Sequence, residues 1–323
     1  MQNKIEVFIL TYNRLQFLRQ SLESVLAQTV PAPITVIDNH SDDGTESYMR
    51  AAASANPLVE YVRNPSNIGY AGSFAKVLER AKMPYVMLFH DDDILHPEYI
   101  GDANLALQKY PGAEMVMSDG SGVPSAAMNA GNWAKPRRAA FLCKDRNAAV
   151  AFHYAIGKMM FPTVVYKTEN LRGAQFDALN SIGKIYDKVL VCNALKSGPS
   201  IVFTDKCYLR YRLHGGQDSN DISTAVSVSN VSNYLSYFRG QMSRTRLGRM
   251  LFALKTFKIL RSLFKITNMR NKPFPEFARA VDAQIGLPFA AKICLVPVLG
   301  GAVYAFERLA AKIYARLFPK TLI

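Results

Sequence analysis

Three consecutive aspartates, Asp91, Asp92 and Asp93, follow directly on the apolar run Tyr85, Val86, Met87, Leu88 and Phe89 and on His90. A carboxylate cluster at the end of a buried strand suits a cation. Asp-x-Asp on one short loop offers two hard oxygen donors, and Mg²⁺ or Mn²⁺ held by one or two carboxylates keeps coordination positions for substrate phosphates. The same triplet also fits a solvated turn ahead of a helix opened by Pro97, Glu98 and Tyr99. Two more polar clusters precede it: Asp38-Asn39-His40-Ser41-Asp42-Asp43-Gly44-Thr45, and the loop Asn67-Ile68-Gly69-Tyr70-Ala71-Gly72. Each alone is ordinary Asx and Gly turn chemistry, but three in succession point to a common site.

The elements that must position these groups are legible in the hydrophobic pattern. Residues 6–10, 34–37, 59–62 and 85–89 are short β-favouring runs. Between them, Leu15, Leu18, Leu22, Val25 and Leu26 recur at helical spacing, an Ala-rich helix runs to Ala55, and a third helix covers 74–81. This βαβα rhythm predicts an α/β fold with a mainly parallel, Rossmann-like sheet flanked by helices. In such sheets ligands bind beyond the carboxyl ends of the strands. Asp38, Asn67 and the Asp91–Asp93 triplet all fall there, so one pocket should gather them.

After Asp119 the pattern weakens. Residues 120–138 are rich in Gly, Ser, Pro and Ala and hold the single tryptophan, Trp133, which reads as a substrate loop. Its aromatic ring would either stack on a sugar or anchor the loop. A helix over 145–157, an apolar run at 163–166, a helix over 187–197 and a strand near 200–204 lead to Arg210-Tyr211-Arg212-Leu213-His214-Gly215-Gly216-Gln217.

With 323 residues and 49% hydrophobic content, the chain can bury a large core. The four cysteines are scattered without C-x-x-C spacing, which indicates neither a zinc site nor a disulfide framework and fits a reducing, cytoplasmic setting. The N-terminal residues lack the apolar stretch of a signal peptide. The formal net charge of +14 is unevenly spread: residues 239–323 hold 16 of the 39 Lys and Arg against only Glu276, Asp282 and Glu307. The chain therefore divides into a nearly neutral catalytic domain, 1–238, and a basic helical C-terminal region, 239–323.

In that region Leu247, Met250, Leu251, Leu254, Phe257, Lys258, Leu260 and Arg261 alternate apolar and basic character at helical spacing. Such a helix lies on an anionic membrane surface or packs as a soluble subdomain. The stretch 285–306 is almost uncharged but interrupted by Pro288, Pro297 and Gly300-Gly301, which argues against a straight spanning helix. Nucleic acid is not an expected partner, because the basic residues interleave with long aliphatics and form no recognisable reading motif.

Taken in order, these motifs resemble glycosyltransferase family 2, the inverting enzymes of GT-A fold. Thr11-Tyr12-Asn13-Arg14 looks like the opening nucleotide loop, the segment 38–45 like D-N-x-S-x-D-G-T, and Phe89-His90-Asp91-Asp92-Asp93 like the D-x-D site. Asp187 stands at the position of the base, and residues 211–217 are similar to an R-x-H-x-x-Q ending. The resemblance spans about residues 4–220 and implies a nucleotide-diphosphate sugar donor, UDP- or dTDP-linked, with Mn²⁺ or Mg²⁺ as cofactor. It further implies Thr11, Tyr12, Arg14, Asp38, Asn67 and Asp91 as nucleotide-sugar contacts, Asp93 and His214 as metal or diphosphate ligands, and Asp187 as general base. The implied acceptor is a hydroxyl of a glycan or a polyprenyl-diphosphate-linked glycan in bacterial surface polysaccharide or lipopolysaccharide synthesis. The implied location is cytoplasmic or peripheral on the inner face of the membrane. The chain departs from the pattern at Leu10, where proline is common, at Ala75, where asparagine is common, and at Tyr186, where a glutamate usually precedes the base. A nucleotidyltransferase is the nearest enzymatic rival, but its glycine-rich N-terminal phosphate loop is missing.

Overall fold

The computed structural model describes residues 2–155, 159–174, 187–215, 227–244, 246–266, 274–286 and 320–323. The first half follows the expected rhythm: β1 (Ile5–Thr11), α1 (Leu15–Leu26), β2 (Ile34–Asp38), α2 (Thr45–Ala55), β3 (Val59–Arg63), α3 (Gly69–Arg80) and β4 (Tyr85–His90). These strands lie side by side in the order β3-β2-β1-β4, all parallel. Thr11 is in register with Asp38, and Leu10 with His90, so the three polar strand ends finish level with one another. β1 and β2 are buried on both faces, which explains why they read as continuous apolar runs. Ile5, Val7 and Ile9 face the core beneath α1 and α4 (Tyr99–Lys109), while Phe8 faces the opposite core beneath α3.

Beyond β4 the sheet becomes mixed. β9 (Val165–Lys167) runs antiparallel between β4 and β6 (Met115–Ser118), and β10 (Ser200–Phe203) lies parallel to β6. β8 (Ala139–Cys143) and β12 (Lys320–Leu322) complete nine strands with antiparallel pairs. The loop expected at 120–138 is in part a strand: β7 (Ser121–Pro124) pairs parallel with β11 (Leu209–Leu213), which pairs antiparallel with β5 (Ile94–Leu95) in a separate three-stranded sheet. The chain leaves the large sheet for the small one at Gly120, where an added Cβ would sit 3.1 Å from the Leu209 carbonyl oxygen, closer than side chains normally come to backbone.

Apart from β12, which adds an edge strand to the large sheet, the described part of the C-terminal region is a helical layer on the catalytic domain. Three helices, α8 (Val228–Met242), α9 (Arg246–Ile266) and α10 (Phe274–Ile285), place Leu235, Phe238, Leu251, Leu260 and Phe277 in one core with Phe152 and Tyr154 of α5 (Arg146–Ala155). The division drawn at residues 238 and 239 therefore falls inside α8. Amphipathic helices seat their apolar face on whatever apolar surface is available, and Leu251 and Leu260 are here fully buried against protein. Most of the stretch 285–306, together with Arg308, Lys312 and Arg316, lies outside the described residues. Among the described residues, no helix is long and apolar enough to cross a membrane.

Candidate active site

The level ends of β1, β2 and β4 bring the sequence clusters together as expected. Thr11 Oγ1 donates to Asp91 Oδ2 at 2.8 Å, and the Arg14 guanidinium lies 3.4 Å from Asp91 and 3.5 Å from Asp92. Burial, reinforced by the neighbouring Asp92 charge, pushes the Asp91 carboxyl up to about 6, against the pull of Arg14 and Thr11. Tyr12 stands out from the same loop with its ring 45% exposed.

Asp38 is positioned differently from a free ligand. It is fully buried, and its Oδ1 accepts from the Ser41 amide (2.9 Å) and hydroxyl (2.6 Å), while Oδ2 accepts from the Tyr61 hydroxyl at 2.6 Å. Its carboxylate organises the loop that begins α2. Asn67 likewise shapes its own loop: its Oδ1 accepts from Asn39 Nδ2 and from the Gly69 amide, and Gly69 takes a positive φ of 71° as it opens α3. The Asn39 Oδ1 in turn accepts from the Ile68 amide and from Asn64 Nδ2, tying the second polar cluster to the third.

Asp92 and Asp93 form the centre. Asp93 is completely buried; its Oδ1 accepts from the Arg212 amide at 2.9 Å, whereas its Oδ2 has no hydrogen-bond partner and faces His90 Nδ1 at 3.4 Å. His214 Nε2 lies 3.1 Å from Asp92 Oδ2. One ligand atom from each of His90, Asp92 and Asp93 falls within 4.8 Å of the others, a group able to hold a metal ion. A buried carboxylate oxygen without a donor suits a cation, and an imidazole with two carboxylates suits a divalent one. His214 touches this group through Asp92.

Residues 6–161 match the model for glycosyl transferase family 2. Residues 6–161 thus form a glycosyltransferase family 2 domain. An uncharacterized glycosyltransferase of Haemophilus influenzae is 23% identical over 252 residues, covering 72% of this chain and 74% of that protein. The poly(ribitol-phosphate) beta-N-acetylglucosaminyltransferase TarP of Staphylococcus aureus is 30% identical over 145 residues, 41% of this chain and 43% of TarP. Among solved structures, residues 1–349 of S. aureus TarS in complex with UDP-GlcNAc superimpose with a TM-score of 0.61 at 16% identity, over 97% of this chain and 92% of that one. The fold is thus the GT-A fold, with its mainly parallel central sheet.

In this family 2 glycosyltransferase, Asp187 opens α7 (Asp187–Ala194) within electrostatic reach of His90. Burial raises the Asp187 carboxyl to about 6, although His90 and Lys188 pull it down. Partial desolvation lowers the basicity of His90, whose side chain is 38% exposed, but the contact with Asp93 and the charges of Asp92 and Asp187 prevail and raise it to about 9. A proton on His90 and a divalent cation are thus alternative sources of the positive charge that the carboxylates require. Burial keeps the Asp93 carboxyl raised despite His90.

The sequence motifs assign an individual role to neither His90 nor Asp92. The structure instead makes both part of the central group. Consecutive side chains on a strand alternate faces, but those on the following turn do not, so the alternation rule gave no means of ranking three adjacent aspartates. Arg212 was noticed only as part of a motif. It is 2% exposed, and its Nε donates to the Asp92 carbonyl at 2.6 Å. Trp133 anchors rather than displays: its Nε1 donates to the Ala130 carbonyl, its ring meets His96 edge-on, and the Arg210 guanidinium lies 4.0 Å from its ring centroid.

Proposed function

We propose that this glycosyltransferase moves a sugar from a uridine-diphosphate donor to a hydroxyl of a surface-glycan or lipid-linked acceptor in a single inverting displacement. The observation that carries the reading is the unpartnered, buried Asp93 Oδ2 beside His90 and Asp92, with Asp187 in reach of the same histidine. TarS, solved with UDP-GlcNAc and with UDP, supports the choice of nucleotide, and the activity in the name of TarP supports an acceptor rich in hydroxyl and phosphate groups.

The chain's own groups would divide the work as follows. Thr11, Arg14 and Asp91 line the nucleotide pocket, with the exposed Tyr12 ring as a stacking surface for the base. Asp38 and Asn67 act through the loops they hold, keeping Ser41, Tyr61 and the Gly69 amide in place. Asp93, Asp92 and His90 would hold Mn²⁺ or Mg²⁺, with His214 supporting Asp92. When bound, such an ion supplies charge stabilisation for the departing diphosphate. Asp187 takes the proton of the acceptor hydroxyl as its oxygen bonds to the anomeric carbon, and the sugar–phosphate bond breaks with its electron pair leaving on the diphosphate. A raised pKa makes Asp187 a stronger base than an ordinary aspartate while still ionised at neutral pH.

Peripheral attachment to an anionic inner-membrane surface would use the basic side of 239–323, because Leu251, Phe252, Leu260 and Leu263 of α9 face the core. A thermal-shift screen of UDP-, dTDP- and GDP-sugars with Mn²⁺ or Mg²⁺ tests the central reading, since ligands that bind the folded state raise its stability. The expected outcome is stabilisation by a UDP-sugar that depends on the metal. Absence of stabilisation by every nucleotide, together with an unchanged response in Asp93→Ala, would overturn it.

A further inference from the structure

Residues two apart on a strand project from the same face. β11 carries two arginines at that spacing, Arg210 and Arg212, and both reach the segment 125–133. Arg210 donates to the Asn129 carbonyl, to Asn129 Oδ1 at 2.7 Å and to the Asn132 carbonyl at 3.0 Å, and its guanidinium lies over the Trp133 ring. Arg212 donates from NH1 to Ser125 Oγ at 3.2 Å. Other bonds of Arg212 run the other way: its amide to Asp93 Oδ1, its Nε to the Asp92 carbonyl, and its NH2 to Gln20 Oε1 of α1. The Arg212 guanidinium also lies 4.8 Å from the Phe17 ring centroid, and Phe17 in turn packs against His214 with ring centroids 4.7 Å apart.

We infer that β11 is a coupling strand, in which Arg212 as a positioning residue transmits occupancy of the Asp92–Asp93 group to the 125–133 segment, and Arg210 fixes that segment's far end. The inference rests on the proposed function only in naming the nucleotide and metal as the occupants. The mechanical link itself is a property of the folded chain. Arg212 is nearly buried, so each of its donors has few alternatives to the partner it holds, and a shift of the Asp92 carbonyl must be accommodated by Ser125 or Gln20.

Trp133 is the single tryptophan of the chain and sits in the segment concerned, so its fluorescence reports the link directly. In the full-length protein without ligand, Arg212→Gln and Arg210→Gln are expected to raise acrylamide quenching of Trp133 by about twofold, because each frees part of the segment. Arg212→Lys should restore only part of the protection, since lysine lacks the planar fork that serves Asp92, Ser125 and Gln20 together. Ser125→Ala, which removes only the segment's side of the link, guards against a variant that fails to fold. It should raise quenching in the same direction in a protein that still binds UDP and Mn²⁺ by calorimetry, with an affinity changed only by the lost coupling.

On addition of UDP with Mn²⁺, the parent should show a change in Trp133 emission that Ser125→Ala and Arg212→Gln reduce and Arg212→Lys partly rescues. Unchanged quenching in all three glutamine and alanine variants would overturn the coupling, whatever the ligand does. Binding of UDP and Mn²⁺ with an identical Trp133 response in the parent and in Arg212→Gln would overturn it as well. No binding of UDP and Mn²⁺ to the parent would instead count against the proposed function, with the ligand-free quenching still deciding the link.

Discussion

His214 Nε2 and Asp92 Oδ2 stand 3.1 Å apart although 122 positions separate them in the chain. The contact joins the turn after β4 to the end of β11, the two segments that carry the central carboxylates and the R-x-H motif. Removing the imidazole leaves Asp92 beside Arg14 at 3.5 Å, a longer and more exposed contact. His214→Ala should therefore weaken metal-dependent UDP binding by about tenfold, the scale of one lost support to a metal ligand. Calorimetric titration of UDP with and without Mn²⁺ checks this, and equal affinities in parent and variant would remove His214 from the site.

Asp93→Asn bears on both stability and function. The substitution replaces a buried carboxyl, whose pKa burial raises, with a neutral group of the same shape that still accepts from the Arg212 amide. The ligand-free variant should melt lower than the parent at neutral pH, because the proton on His90 loses the carboxylate that faces it at 3.4 Å. Its transfer activity should fall by about a hundredfold or more, the loss expected when a metal ligand is removed. A variant that melts lower and still responds to Mn²⁺ would show the carboxylate to be structural.

Asp187 should impose the acid limb of the pH–rate profile. It acts as a base only when ionised, and with its pKa at about 6, activity should fall about tenfold per pH unit below that value. Asp187→Asn should abolish this limb and lower turnover by about a hundredfold or more. Because the folded-state pKa is raised, ionisation of Asp187 destabilises the fold as pH rises through it, so the same variant should be at least as stable as the parent at pH 7. Paired rate and urea-unfolding profiles from pH 5 to pH 8 test both halves.

His153 gives a stability prediction away from the site. Both its ring nitrogens are buried without hydrogen-bond partners, and burial, with a smaller contribution from Lys188, lowers its pKa to about 3. The unfolded chain takes up a proton near the ordinary histidine value, whereas the folded chain does not until far lower pH. Stability is therefore fully present above about pH 6.5 and declines as pH falls toward the folded value, by roughly 3 kcal/mol at pH 4. His153→Leu should flatten that decline, as read from urea midpoints at pH 7.5 and pH 4.5. An equal decline in the variant would assign acid sensitivity to other groups.

Leu251 and Leu260 distinguish a packed helix from a membrane-lying one. Both are fully buried in the core shared with α5. Truncation of either to alanine should cost about 2–5 kcal/mol of stability, with no change in partition onto anionic vesicles. A loss of vesicle binding at unchanged stability would show that this face meets lipid.

The parallel half of the fold was legible because each strand, polar end and helix repeats within about thirty residues, and the pattern carries its own register. The polar clusters at 38–45, 67–72 and 91–93 were legible for the same reason: they sit where the strand runs stop. β7, β9 and β11 were not, since strands of three to five residues paired across 49 to 116 positions leave no local signal beyond a short apolar run. The roles within the triplet depended on those same long-range pairings, because Arg212 and His214 reach Asp92 and Asp93 only once β11 lies beside β5 and β7. The helices after residue 227 carried an amphipathic signature that a protein core and a lipid surface produce alike.

The insertion of β9 between β4 and β6 has a consequence for how the molecule is made. The stretch matched by the family model ends at residue 161, before the strand that fills the gap at the centre of the sheet. The unit recognisable by descent is therefore shorter than the sheet. An emerging chain can assemble β1 to β4 early on the ribosome, but β6 must wait, unpaired on that side, until Val165–Lys167 has been synthesised and slotted home. Expression of residues 6–161 alone should yield aggregation through that open edge, and a nascent chain stalled at the same length is the one on which a chaperone would have most to hold.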